Sequence, residues 1–366
     1  MEGNFFENGE KAIFDLRRIY QKYGYSRYKM SKFEEYDLYV RNKDFLVSEN
    51  VITFTDTDGR LMALKPDVTL SIVNNTNPGD NSLQKVYYNE NVYRVSKGTQ
   101  SYKEIMQVGL ECIGDVDDYS VCEVMSLAAE SLESISENFV LDISHLGIVE
   151  SVLESAAVSE KGKQKILRFL EEKNIHGISA VMAEEGKEPG IVAELAGTYG
   201  TSEKVFPFLD SIKTEKNAGI IDNFKKIFTS LEACGYKDRV RIDFSLVSDM
   251  KYYNGFVFKG FINGISSGVL AGGQYDKLMQ KLGKKCGAIG FAVYLDLLER
   301  FEETEKEYDV DSVIVYDEQT DLISLKSAVK MLSENGKSVL ALRTVPEKLR
   351  YRQLFKMNGK GVEIVG

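Results

Sequence analysis

Hydrophobic and polar residues recur with two different periods along this chain, and the switches between them outline its architecture. In residues 8–24, NGEKAIFDLRRIYQKYG, the apolar positions Ile13, Leu16, Ile19, Tyr20 and Tyr23 fall at helical spacing between charges, which predicts an amphipathic helix ending near Gly24. YDLYV and VITFTDTDGRLMALK then alternate or run apolar around Asp58-Gly59, a dipeptide suited to the positive φ of a hairpin, and predict antiparallel strands. Residues 84–114 predict a second hairpin, with KVYYNENVYRV and EIMQVGLECIG as β-rich arms and SKGTQSYK as the polar loop. Helical spacing returns in SVCEVMSLAAESLESIS, where Val121, Val124, Met125, Leu127, Ala128 and Leu132 make one stripe that should cover the sheet.

Residues 145–237 are patterned almost wholly as helix, interrupted by Gly and Pro, and read as a helical insertion. Strands resume in VRIDFSLV, YYNGFVFKGFI and SSGVLAGG, and IGFAVYLDLLERFEE predicts a helix. The last stretch predicts strand DSVIVYD, helix LISLKSAVKMLSEN, strand SVLALR, helix PEKLRYRQLFKMNG and strand GVEIVG, a β/α alternation that implies a small, mostly parallel sheet. The expected class is α+β. Its sheet core is split between residues 1–144 and 238–305 around the insertion at 145–237, and residues 306–366 form a small α/β C-terminal domain.

Composition narrows the function. A chain of 366 residues exceeds one typical hydrophobic core, so more than one domain is expected. With 43% hydrophobic and 28% charged residues, no long uncharged apolar stretch and no signal-peptide pattern, a soluble cytoplasmic protein is expected. A net charge of -10 opposes a broad phosphate-binding surface, because nucleic-acid binders concentrate Lys and Arg. Cys112, Cys122, Cys234 and Cys286 are too scattered for a zinc knuckle or a redox pair, and His145 and His176 lack a supporting metal or triad motif. No cofactor, metal, nucleic-acid or membrane partner is expected.

Six segments carry a resemblance. LKPDVT (64–69), VYR (92–94), QVGLECIG (107–114), YYNGFVF (252–258), GGQYDKLMQKLG (272–283) and AIGFAVYLDLL (288–298) resemble, in this order and spacing, the class II aminoacyl-tRNA synthetase core of the histidyl-tRNA synthetase family. The resemblance implies an antiparallel six-stranded sheet flanked by helices, a helical insertion, and a C-terminal segment similar to part of an anticodon-binding domain. It also implies a pocket for free histidine formed by Asp67, Thr69, Gln107, Glu111, Tyr252 and Tyr253. A zwitterion carrying an imidazole needs an acceptor for its ammonium and polar partners for both ring nitrogens. The alternation Gln107, Gly109, Glu111 puts two polar side chains on one strand face with room between them, and Glu111 suits an imidazole N–H. The competing reading makes Glu111 a solvated side chain and the tyrosines plain core aromatics.

The nucleotide apparatus matches less well. Arg94 stands at the motif 2 arginine and reads as a vestigial ATP-site residue, but Ser96 replaces the glutamate two residues on, and the following loop is shortened. Leu297 aligns with the motif 3 arginine, with Arg300 three places later, and Ser248 aligns with the arginine ahead of the tandem tyrosines. Ser31 replaces a motif 1 proline, and Lys65 replaces the arginine of the LRPE segment. Fixed cations stabilise phosphate charge in the transition state, and losing one such group costs about 10²- to 10³-fold in rate, so losing two implies negligible adenylation.

A histidine pocket without its ATP arginines resembles the regulatory-subunit family of ATP phosphoribosyltransferase. That resemblance implies a non-catalytic chain required by a short-form catalytic subunit for the first step of histidine biosynthesis. It further implies feedback by L-histidine and a homodimer within a hetero-oligomer. A divergent histidyl-tRNA synthetase and a stand-alone histidine-binding paralogue are the alternatives.

Overall fold

The computed structural model describes residues 8–42, 51–76, 82–95, 101–247, 252–299, 308–334, 337–358 and 361–365. The chain divides into two compact units, Ala12–Leu298 and Glu299–Gly366 together with Met1–Lys11.

In chain order, helix α1 (Asn8–Lys22) leads to the two-residue strand β1 (Ser26–Arg27). A three-stranded antiparallel sheet comes next, of β2 (Phe33–Glu35), β3 (Thr53–Thr55) and β4 (Leu61–Leu64), with helix α2 (Tyr36–Arg41) directly after β2. The turn between β3 and β4 is built as the sequence predicts: Gly59 takes φ 83° and the Asp56 carboxylate accepts from the Asp58 and Arg60 amides. Helix α3 (Val68–Asn75) precedes the long hairpin β5 (Leu83–Val95) and β6 (Tyr102–Gly114), helix α4 (Asp118–Ile135) and strand β7 (Phe139–His145).

The helical segment comprises α5 (Leu146–Ser155), α6 (Glu160–Glu171), α7 (Ile175–Glu184), α8 (Gly190–Gly197), α9 (Ser202–Ser211) and α10 (Ala218–Leu231), with the short strand β8 (Tyr199–Gly200) between α8 and α9. The sheet is completed by β9 (Val240–Asp243), β10 (Phe256–Ile262) and β11 (Leu270–Gln274), helix α11 (Asp276–Lys281), strand β12 (Gly287–Tyr294) and the short helix α12 (Asp296–Glu299).

The large sheet has the order β1-β5-β6-β12-β11-β10-β7-β9-β8. Its six central strands, β5 to β7 in that order, pair antiparallel throughout, while β1 and β9 add parallel pairings at the flanks. One face is covered by α1 and α4: the Tyr20 and Ser131 hydroxyls share a hydrogen bond at 3.1 Å, and Tyr20 meets the Phe291 ring edge-on at 6.0 Å. The six apolar positions of the α4 stripe are all buried, as the helical periodicity requires.

The second unit holds β13 (Val310–Val315), helix α13 (Leu322–Leu332), β14 (Val339–Leu342), β15 (Tyr351–Asn358) and β16 (Gly361–Ile364). β13 pairs parallel with both β14 and β15, and β16 adds antiparallel at the edge, over a small core of Ile314, Leu325, Ala328, Phe355 and Met357.

Three element expectations are corrected. YDLYV is not a strand but most of α2, where Tyr39 is buried and Asp37 pairs with Arg41 at 3.3 Å one helical turn on. Five residues with apolar positions at 36, 38, 39 and 40 satisfy either period, and packing decides. IGFAVYLDLLERFEE is not one helix: its first part lies in β12, a central strand whose near-continuous apolar run reflects burial on both faces, and the helix after it is only α12. Residues 300–303 of that segment lie outside the described residues. PEKLRYRQLFKMNG contains β15 instead of a helix, because buried Phe355 and Met357 flank exposed Lys356 with period two.

Candidate functional site

On the sheet face opposite α4 lies a cavity of about 100 Å³, several times the space one water needs. Asp67, Thr69, Gln107, Glu111, Tyr252 and Tyr253 all line it, and so does Arg94. The structure therefore brings together every residue that the sequence offers as a binding candidate. Tyr88, Tyr275 and Tyr294 also line it, and sequence reasoning missed them.

Register explains the shape. Gln107, Gly109 and Glu111 share one face of β6, and opposite them on β12 stand Tyr294, Ala292 and Gly290. Ala292 and Gly290 pair in turn with Ala271 and Gly273 of β11. The middle of the floor is thus paved with small residues, and larger side chains stand at its margins. A Cβ on Gly290 would lie 1.8 Å from the Glu111 Oε2, and one on Gly273 would lie 2.8 Å from the Tyr253 ring. Only glycine lets the carboxylate and that ring lie flat across the strands. Cross-strand neighbours of this kind depend on pairing, so no signal along the chain identifies Tyr88; Tyr275 and Tyr294, inside the GGQYDKLMQKLG and AIGFAVYLDLL segments, were within reach.

Glu111 sits at the centre, 1% exposed. Thr69 Oγ1 donates to its Oε1 at 2.6 Å and Tyr275 Oη donates to its Oε2 at 2.5 Å. Among the described residues no ion pair reaches this carboxylate. Burial, and to a lesser extent the nearby Asp67 charge, raises its pKa to about 8 against the opposing pull of the two hydroxyls. A carboxyl in this state is poised to accept from a ligand that brings positive charge or N–H donors.

Asp67 caps α3, accepting from the Leu70 amide at 2.7 Å. Burial raises its pKa, with the Leu70 amide and then the Arg94 charge lowering it. Arg94 Nε donates to the Pro66 carbonyl at 2.9 Å, so this cation steadies the turn that presents Asp67. Lys65, two positions before Asp67, is wholly buried and pairs with Glu90 at 3.0 Å. The tandem tyrosines are fixed by the residues just C-terminal to them: the Asn254 amide donates to the Gln274 carbonyl, and Gln274 Oε1 accepts from the Phe256 amide at 2.9 Å. Tyr252 meets Tyr253 edge-on at 4.7 Å and lies tilted against Tyr275 at 5.8 Å.

Of the positions expected to have lost a cation, Leu297 is described, in α12, packed against the main core. Ser96, Ser248 and Arg300 lie outside the described residues. His145 is a half-buried structural residue: it caps α5 by accepting from the Gly147 amide, meets Phe256 edge-on at 4.9 Å, and burial lowers its pKa to about 4. Among the described residues no cluster of three His, Cys, Asp or Glu is placed to hold a metal, and no helix is long and apolar enough to cross a membrane.

A six-stranded antiparallel sheet with a small-residue floor, a polar cavity over it and flanking helices defines a class II aminoacyl-tRNA synthetase-like core. The histidyl-tRNA synthetase family model matches residues 4–298, and the chain belongs to that family. The ATP phosphoribosyltransferase regulatory subunit of Ruminiclostridium cellulolyticum is 24% identical over 360 residues, covering 94% of this chain and 85% of its own. A Bacillus halodurans structure described as ATP phosphoribosyltransferase regulatory subunit/histidyl-tRNA synthetase has the same fold, with TM-score 0.78, 22% identity and coverage of 96% and 94% of the two chains. A chain of the ATP phosphoribosyl transferase complex from Thermotoga maritima superposes with TM-score 0.62 at 20% identity, covering 79% of this chain and 98% of that one.

Proposed function

We propose that this chain is the regulatory subunit of an ATP phosphoribosyltransferase, without catalytic activity of its own. A short-form catalytic subunit requires it for the first step of histidine biosynthesis, and histidine bound in the cavity inhibits the assembly. The observation that carries the reading is the cavity itself: a buried Glu111 that, among the described residues, is held by the Thr69 and Tyr275 hydroxyls with no ion pair, beside Asp67, on a floor of small residues. The name borne by relatives aligned over most of the chain supports the partner and the pathway.

In this reading Asp67 and Gln107 face the ammonium, while Glu111 and the tyrosines face the imidazole. Leu297 and Ser248, where synthetases of the family carry arginines, leave the phosphates of ATP without two of their cations, and Arg94 is a remnant. The complex contains a homodimer of this chain, works in the cytoplasm, and needs neither nucleic acid nor metal for its regulation. Feedback of this kind requires only about 1 to 3 kcal/mol of coupling between sites.

Reconstitution tests it. Mixing the chain with a short-form catalytic subunit should raise phosphoribosyl transfer and render it sensitive to histidine, while ATP–pyrophosphate exchange with histidine stays at background. A catalytic subunit indifferent to this chain, or appreciable exchange, would overturn the assignment.

A further inference from the structure

The two hydroxyls that hold Glu111 come from the starts of two different helices. Thr69 is in the first turn of α3, and Tyr275 is the residue immediately before α11. The far ends of the same helices are joined again. Gly283, at φ 74°, closes α11 with the Lys284 amide donating to the Met279 carbonyl at 2.9 Å, a helix-ending turn that fixes the Lys284 backbone. From there Lys284 Nζ reaches across and donates to the Val73 and Thr76 carbonyls at the end of α3. Between the two junctions, Val68, Leu70, Ile72, Val73, Leu278 and Met279 belong to one packed cluster. The result is a closed circuit: Glu111, Thr69, α3, Lys284, α11, Tyr275 and back to Glu111. Past the Lys284 junction, Asn74, Asn75, Lys281 and Leu282 edge a surface groove.

We propose that Lys284 is a positioning residue that ties the two helices into one body, so that a ligand engaging Glu111 alters both far helix ends together. This rests on the reading that free histidine occupies the cavity. A ligand donor arriving at Glu111 competes with or reinforces Thr69 and Tyr275, and each hydroxyl is fixed to the start of its helix. A packed, hydrogen-bonded body passes such a shift to its other end, where an unlinked pair of helices would absorb it separately. Removing the ammonium cuts the circuit at a point that touches neither the cavity nor the ligand.

Hydrogen–deuterium exchange on the full-length chain, with and without saturating L-histidine, tests the link. In the wild type, histidine should slow exchange in peptides covering 70–76 and 278–284 together. Lys284→Met should bind histidine within about twofold of the wild type by calorimetry, as expected for a change remote from the ligand, yet lose the slowing at both helix ends. Lys284→Arg should retain it. Slowing at only one end of the wild type, or full slowing in Lys284→Met, would overturn the proposal. Should Lys284→Met fail to fold, slowing at one end only in the wild type, or its absence from Lys284→Arg, still overturns it. Absence of any histidine binding by the wild type would instead refute the proposed function.

Discussion

The two faces of the β5–β6 hairpin treat buried carboxylates in opposite ways. On the face covered by α4, Glu123 is neutralised within the chain by Lys85 of β5 at 2.6 Å, with the Tyr25 hydroxyl also donating to it. On the cavity face, Glu111 is deeper still and is held by two hydroxyls with no ammonium or guanidinium in ion-pair contact among the described residues. Burying an ion is tolerable when a partner ion and hydrogen bonds compensate. The first carboxylate meets that condition by itself. The second leaves a place for something from outside, which distinguishes a structural ion pair from a binding site.

Breaking the structural pair should have the largest effect on stability. Lys85→Met strands Glu123 and should cost about 3 kcal/mol in chemical denaturation, while leaving histidine affinity unchanged. Gly290→Ala should come next, because a Cβ there collides with the Glu111 carboxylate and the Leu110 carbonyl; about 1 to 3 kcal/mol of stability and most histidine binding should go with it. A smaller effect should appear in the pH dependence. The Glu111 pKa is raised above its unfolded value, so its stabilising contribution is complete below about 4.5 and is lost as pH rises through about 8. Glu111→Gln should therefore gain thermal stability relative to the wild type between pH 5 and pH 8, by at most about 1.4 kcal/mol per pH unit. A flat difference across that range would mean that Glu111 stays ionised, as a paired carboxylate would.

Much of this contrast was legible in the chain. Polar Gln107 and Glu111 two strand periods apart around Gly109 stand out within the apolar half of the strand, and the ordered motifs tie them to Asp67, Thr69 and the tyrosine pair. What stayed hidden depends on pairing. Gly290 and Gly273 look like ordinary strand glycines until β12 and β11 are laid beside β6, and Tyr88 enters the cavity wall only through its pairing with Gly109. The helical pattern of β12 has the same origin: a strand buried on both faces loses the alternation that marks an exposed one. In the C-terminal unit, β15 resembled a helix because charged residues spaced through LRYRQLFKM satisfy helical periodicity as well as the alternation of Phe355 and Met357.

Calorimetric titration of L-histidine into the purified chain is the most direct test of the central claim, with Glu111→Ala as its partner. Saturable binding by the wild type, weakened about 10- to 150-fold in the variant as loss of a hydrogen bond to a charged group requires, is the predicted result. Absence of binding by the wild type, or equal affinity in the two proteins, would contradict it.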